Sequence, residues 1–124
     1  MKYPVLCIKP LFAKRIKKGI KKWEFRTYKI SQYNIIYLYQ PKNKTITTKI
    51  YVNQLIKDSP KNIWRLCKKE AGISRKEFFN YFKNKKRCYA YRIDKYEKVN
   101  IKFNNMLKQI LIYIDENELK STTK

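Results

Sequence analysis

Glu24 is the only carboxylate in the first 57 residues, which it shares with fourteen Lys and Arg. A single acid in so basic a segment is either an ion-pair anchor or a working group of a site. It sits in the stretch Gly19-Ile-Lys-Lys-Trp-Glu-Phe-Arg26, whose alternation predicts a strand with Trp23 and Phe25 on one face and Lys22, Glu24 and Arg26 on the other. At i, i+2 on one strand face, Glu24 and Arg26 are close enough for a charge-assisted hydrogen bond. As structure, that pair neutralises a polar face. As function, Glu24 is an anion that accepts from the amino or imino N–H of a base, while Lys21 and Arg26 hold a phosphate or carbonyl oxygen. Lys21 is also the better catalytic candidate, because a lysine crowded by cations can lose its proton near neutral pH and act as base or nucleophile. The plain alternative is that it is one of many surface lysines.

Other chemistries are narrowed by composition. The chain has no histidine, which excludes Ser-His-Asp and Cys-His catalysis, histidine general bases and histidine-ligated metals. Cys7, Cys67 and Cys88 are widely spaced and odd in number, so they suggest neither a zinc site nor a disulfide framework. Reduced thiols in the cytoplasm are the simplest account. No cofactor and no metal are implied. An apolar run long enough to span a membrane is missing from the sequence, and the N-terminal apolar stretch is too short for a secretory signal.

Charge then points to a partner. With 31 basic against 9 acidic residues the net charge is +22, and self-repulsion of that size favours a polyanionic ligand. Lysine-rich codon usage accounts for part of the excess but less well for the shortage of acids. Phosphate contacts are expected from Lys14, Lys17 and Lys18 and from the basic turn Lys83–Arg87, with Lys85, Lys86 and Arg87 foremost. Eleven tyrosines among so many cations offer stacking faces for unpaired bases. Tyr28, Tyr37, Tyr39, Tyr89 and Tyr91 fall on or beside expected strands, and at most two or three of them would touch a ligand. Trp23 reads as core.

Local signals supply the elements that must position these groups. Pro4–Ile8 is a buried first strand. Pro10 opens a helix that Gly19 closes, with Phe12 and Ile16 on its apolar stripe and cations around the rest. Ile35–Tyr39 and Thr45–Val52 read as a hairpin broken by Pro41–Lys44. Ser59-Pro60 starts a second helix that Gly72 stops, and Ser74 with Glu77 forms the capping box of a third, buried through Phe78, Phe79 and Phe82. Cys88–Asp94 and Ile110–Ile114 read as late strands, with an acidic turn following and a tail weakly ordered from about 115. The stretch 100–109 gives little signal. A chain of 124 residues with 44% hydrophobic content is long enough for one core, so 1–124 is expected to form a single domain.

Pro10, the helix after it, and Gly19-x-Lys21-x-x-Glu24-x-Arg26 resemble the signature of the ASCH domain, the activating-signal-cointegrator homology family of the PUA-like superfamily. Glu70–Ser74, Glu77–Phe82 and Tyr89–Ile93 are similar to the helix pair and late strand that these domains insert. The resemblance implies an α+β fold built on a small PUA-like β-barrel, with a helix after strand 1 and an inserted helix pair covering one opening. It also implies RNA or a nucleotide-derived ligand in a cleft by the motif. Some bacterial ASCH-like enzymes are amidohydrolases acting on acylated cytidine and are thought to use a Lys, Thr and Glu triad. Lys21 matches the Lys, but Glu24 stands where the Thr would be, and the downstream Glu has its counterpart in Glu70.

The expectation is therefore an RNA-binding domain with Lys9, Lys14, Lys17, Lys18, Lys21, Glu24, Arg26, Tyr39, Lys85, Lys86 and Arg87 at its binding surface. The competing classes are a small hydrolase, with Lys21 and Glu24 catalytic, and an adaptor in transcription or translation. The enzyme would be either an acylated-cytidine amidohydrolase or a metal-independent ribonuclease. No membrane partner is expected, and oligomeric state is not legible.

Overall fold

The computed structural model describes residues 1–103 and 111–121. In chain order the elements are β1 Lys2–Cys7, α1 Pro10–Lys17, β2 Trp23–Arg26, β3 Ile35–Gln40, β4 Thr45–Asp58, α2 Pro60–Cys67, α3 Arg75–Tyr81, β5 Cys88–Lys102, β6 Leu111–Asp115 and α4 Glu116–Ser121. Short 3₁₀ turns at Pro41–Asn43 and Lys68–Glu70 join β3 to β4 and follow α2. Ser59 caps α2 by accepting from Asn62 N–H, and Ser74 and Glu77 complete the capping box on α3. Gly19, at φ +75°, lies one residue past the Lys18 cap that ends α1.

All six strands form one sheet in the order β2-β5-β4-β3-β1-β6. β1 and β3 run parallel and every other pair is antiparallel, so the fold is α+β on a mixed sheet. The closed barrel expected from the family differs from what is found: β2 and β6 are edges, and among the described residues no strand pairing joins them. A side chain spans the gap instead. The Arg26 guanidinium, at the end of edge strand β2, donates to the Cys7 carbonyl at the end of β1, 3.0 Å away. The sheet therefore curls far enough to bring β1 beside β2, and a cleft remains where further ladder bonds would have closed it.

Alternation along the strands sorts the core into three clusters. On β5, Tyr91 and Ile93 face a cluster with α1 (Ala13, Ile16), while Cys88 and Ala90 face one built from α2 and α3 (Ile63, Cys67, Phe78, Phe82). On β3, Ile36 and Leu38 join the first cluster, and Tyr37 and Tyr39 a third, which β6 and α4 cover with Ile114 and Leu119. Glu116–Ser121 form a helix whose Leu119 is buried. Residue 110 of the expected last strand and most of 100–109 lie outside the described residues.

β4 and β5 are far longer than Thr45–Val52 and Cys88–Asp94 suggest, pairing from Thr45↔Lys102 to Asp58↔Cys88. Register shifts between Ile46 and Thr48 and around Val52 bend the pair and break its period-2 pattern. Among the described residues, no helix is long and apolar enough to cross a membrane.

Candidate functional site

The cleft beside β2 is a partly open cavity of about 340 Å³. Its walls come from the end of β1 (Cys7), the start of α1 (Lys9, Phe12), β2 with the residues before it (Lys21, Glu24, Phe25, Arg26), and α3 with its lead-in (Ile73, Glu77, Asn80, Tyr81). Because β2 pairs on one side only, with β5, its other edge is left to the cavity.

Glu24 is the centre of this wall. The residue is only 5% exposed. Oε2 accepts from Arg26 Nε at 2.9 Å and from Nη2 of the same guanidinium in a still closer contact. The ammonium of Lys21 stands 3.8 Å from Oε1. Among the described residues, the hydrogen bonds made to this carboxylate all fall on Oε2 and none comes from main chain, while Oε1 has the Lys21 ammonium as its neighbour. Burial works against the Arg26 cation, but the charge and hydrogen bond of Glu24 outweigh it, and Arg26 stays protonated more firmly than an ordinary arginine.

Lys21 is 3% exposed. Its ammonium donates to Ala71 O at 3.3 Å and lies over the rings of Phe25 and Phe12, 4.9 and 5.5 Å from their centroids. Burial pulls its pKa down, Glu24 opposes this, and Arg26 and Arg15 add to the lowering. The backbone here is fixed by the α2–α3 connection: Lys22 N–H donates to Glu70 O at 2.8 Å, and Arg15 Nη1 donates to Gly72 O at 2.7 Å. Gly72, at φ +70°, touches Lys21 so closely that an added Cβ would sit 2.6 Å from the Lys21 Cα.

On the opposite wall, Glu77 carries the capping box of α3, and Arg15 Nη1 lies 3.8 Å from its carboxylate. The backbone N–H of Ser74, then its side chain, hold Glu77 below the usual carboxylate range. Burial pushes the Tyr81 phenol up, so it enters the cavity as a protonated hydroxyl.

Of the residues singled out from the sequence, Lys9, Lys21, Glu24 and Arg26 meet at the cavity. Lys14 and Lys18, on α1 and at its C-cap, are exposed and Lys17 is half-buried; none of the three lines the cavity. Lys85, Lys86 and Arg87 are exposed in the turn before β5, and the pairing of Arg26 with Tyr89 sets that turn just beyond the Arg26 end of β2. Tyr39 is not brought to the site. It is 1% exposed, its ring packs edge-on against Phe103, and its hydroxyl donates to the Phe103 carbonyl. Tyr91 is likewise structural, its hydroxyl bridging Ile30 N–H and Tyr28 O. Trp23 is core, with Arg92 stacked over it.

Glu70 lies outside the cavity, bonded to Arg92 at 2.7 Å and paired with Lys22 at 3.4 Å. It therefore does not join Lys21 and Glu24. The acid that does is Glu77. Sequence reasoning spent Glu77 on the capping box and passed over Asn80 and Tyr81. The signal for them was present: Ile73, Glu77, Asn80 and Tyr81 are spaced i, i+4, i+7, i+8, one stripe beside the Phe78 and Phe82 face.

Cys67 and Cys88 are free thiols in the core, and burial pushes both up to about 12. Among the described residues, no group of three or more cysteines and carboxylates comes together to hold a metal ion.

A curled mixed sheet with a basic, partly aromatic cleft at its open seam defines a class of small α+β domain. Its fold is that of the ASCH domain. An ASCH protein of Zymomonas mobilis superimposes with a TM-score of 0.83 over 95% of this chain and 91% of that one, at 21% identity. Two substituted forms of it give TM-scores of 0.84 and 0.83, at 21% and 20% identity, covering 96% and 98% of this chain and 92% and 96% of theirs. No family model and no curated protein matches the sequence.

Proposed function

We propose that this chain is an RNA-binding domain of the ASCH type that takes an unpaired base of single-stranded RNA, or a nucleotide derived from it, into the cleft at β2. The observation that carries this reading is the Glu24 carboxylate on the cavity wall, hydrogen-bonded by Arg26 through Oε2 alone, with Oε1 beside Lys21. A volume of about 340 Å³ falls at the small end of ligand pockets, the scale of a base with its sugar. Phe12 and Tyr81 supply flat apolar walls for the ring, and Lys9, Lys21 and Arg26 the donors for its oxygens. Lys14, Lys17 and Lys18, with Lys85, Lys86 and Arg87 of the turn before β5, hold the phosphates on either side. The ASCH fold and the +22 charge support the same partner.

A hydrolase is the second reading, favoured by one observation: the Lys21 amine is buried and its pKa lowered, as a catalytic base or nucleophile needs. Glu70 gives it no help, because that side chain is committed to Arg92 and Lys22.

One variant separates the two. Lys21→Ala should weaken RNA binding by about 1 kcal/mol, roughly fivefold, as loss of one charged contact does. In a hydrolase it should abolish acid release from N-acylated cytidine, or strand cleavage without metal. Fluorescence anisotropy with single-stranded RNA, alongside both turnover assays, reads this directly. Wild-type protein that binds no RNA at low salt would end the binding reading.

A further inference from the structure

The order of charged groups along the cleft wall carries more information than their presence. Lys21 stands at the Oε1 side of Glu24 and Arg26 at the Oε2 side, so a donor, the carboxylate and a second donor follow one another along the wall; Arg26 Nε and Nη2 are spent on Glu24 and the Cys7 carbonyl, which leaves Nη1 as its donor to a ligand. A ligand edge that complements the wall offers acceptor, donor, acceptor. Among the unmodified bases of RNA this is the imide of uracil, with O4 and O2 flanking N3–H. Cytosine presents donor, acceptor, acceptor, and would set its ring N3 lone pair against a carboxylate. Guanine places two adjacent donors against both oxygens of one carboxylate, and here Arg26 already occupies Oε2 through two N–H groups. Adenine offers an amino donor beside a ring acceptor and no flanking carbonyl.

We infer that the cleft is selective for an imide edge, that of uracil, with Glu24 Oε1 accepting N3–H and with Lys21 and the Nη1 of Arg26 donating to the two carbonyl oxygens. The inference rests on the base-binding reading of the cleft and adds to it the identity of the base. Burial strengthens the discrimination: Glu24 is 5% exposed, so a base that offered its Oε1 no donor would displace the water that oxygen needs. Gly72 and the Ala71 carbonyl fix Lys21 from behind, and the Cys7 carbonyl fixes Arg26, so the two donors cannot swing away to suit another base.

The test is on the ligand, which avoids the question of whether a variant folds. Wild-type protein is titrated with the 5′-monophosphates of uridine, cytidine, adenosine and guanosine, and with those of 3-methyluridine and 5,6-dihydrouridine, by calorimetry or by amide chemical shifts. Uridine should bind about tenfold or more tighter than cytidine, adenosine or guanosine. Methylation at N3 should remove binding to the same extent, and the dihydro form, which keeps the imide but not the aromatic ring, should retain most of it. Glu24→Gln should lower uridine affinity roughly tenfold and narrow its lead over cytidine. Equal binding of another unmodified base, or indifference to N3 methylation, overturns the imide assignment while leaving a base-binding cleft. If none of the nucleotides binds, the base-binding reading falls and the inference with it.

Discussion

Lys21 is held by contacts that pull in opposite directions. Burial among Phe12, Phe25 and Gly72 disfavours its charge, while Glu24, the Ala71 carbonyl and the two ring faces favour it, and the net result is a lowered pKa. The linkage follows from which state holds the proton. Below the folded-state pKa both states are protonated and the folded chain bears the full penalty of a buried cation. Between that value and the 10.5 of an ordinary lysine, the unfolded chain binds more protons, so stability rises with pH. Against a Lys21→Met variant, which keeps the stem and drops the charge, wild type should gain stability as pH is raised through that window. Urea midpoints of both proteins from pH 7 to 10 give the difference, and a pH-independent gap would mean that Lys21 titrates as an exposed lysine does. At this scale the Glu24–Arg26 pair was legible from i, i+2 spacing. The burial of Tyr39 was not, because the groups that cover its ring, Phe103 and the β6–α4 side, lie more than sixty residues away.

At the scale of elements, the signals that depend on a few neighbouring residues were readable. Pro10, Ser59-Pro60 and the Ser74–Glu77 box mark helix starts that the structure has. The far halves of β4 and β5 were not readable. Residues 94–98 are all exposed and mostly charged or polar, so nothing alternates; pairing with β4 makes them a strand, not burial of one face. Gly72 illustrates a signal half understood. It stops the α2 segment as expected, yet it also seats the α2–α3 connection on Lys21, a contact between residues 51 apart that local sequence cannot announce. Gly72→Ala should therefore cost on the order of 2–3 kcal/mol, the left-handed penalty plus the displacement of a buried lysine backbone. Gly19→Ala, at a similar φ with nothing within 4 Å of the added carbon, should cost only about 1 kcal/mol. Thermal or urea denaturation of the two variants orders them, and equal losses would show that the contact with Lys21 is slack.

For the whole molecule, the sheet's failure to close and the excess of positive charge belong together. The open seam gives a cleft where Lys9, Lys21 and Arg26 converge, while α1 on one flank and the turn before β5 on the other carry the six cations assigned to phosphates. If the base in the cleft supplies specificity and those six supply charge neutralisation, the two contributions respond differently to salt. Six phosphate contacts at about −0.7 each predict a slope near −4 for log Kobs against log salt with single-stranded RNA. Replacing Lys14, Lys17 and Lys18 together by Gln should flatten that slope by about 2 and weaken all sequences alike. Glu24→Gln should instead leave the slope unchanged and alter the preference among bases. The two flanks were readable as charge, but their arrangement on either side of one cleft depends on the β2-β5 register and on the curl of the sheet, which no local pattern encodes. A slope unaltered by the triple replacement would place the phosphate path elsewhere on the surface, and α1 would then serve the cleft only through Lys9 and Phe12.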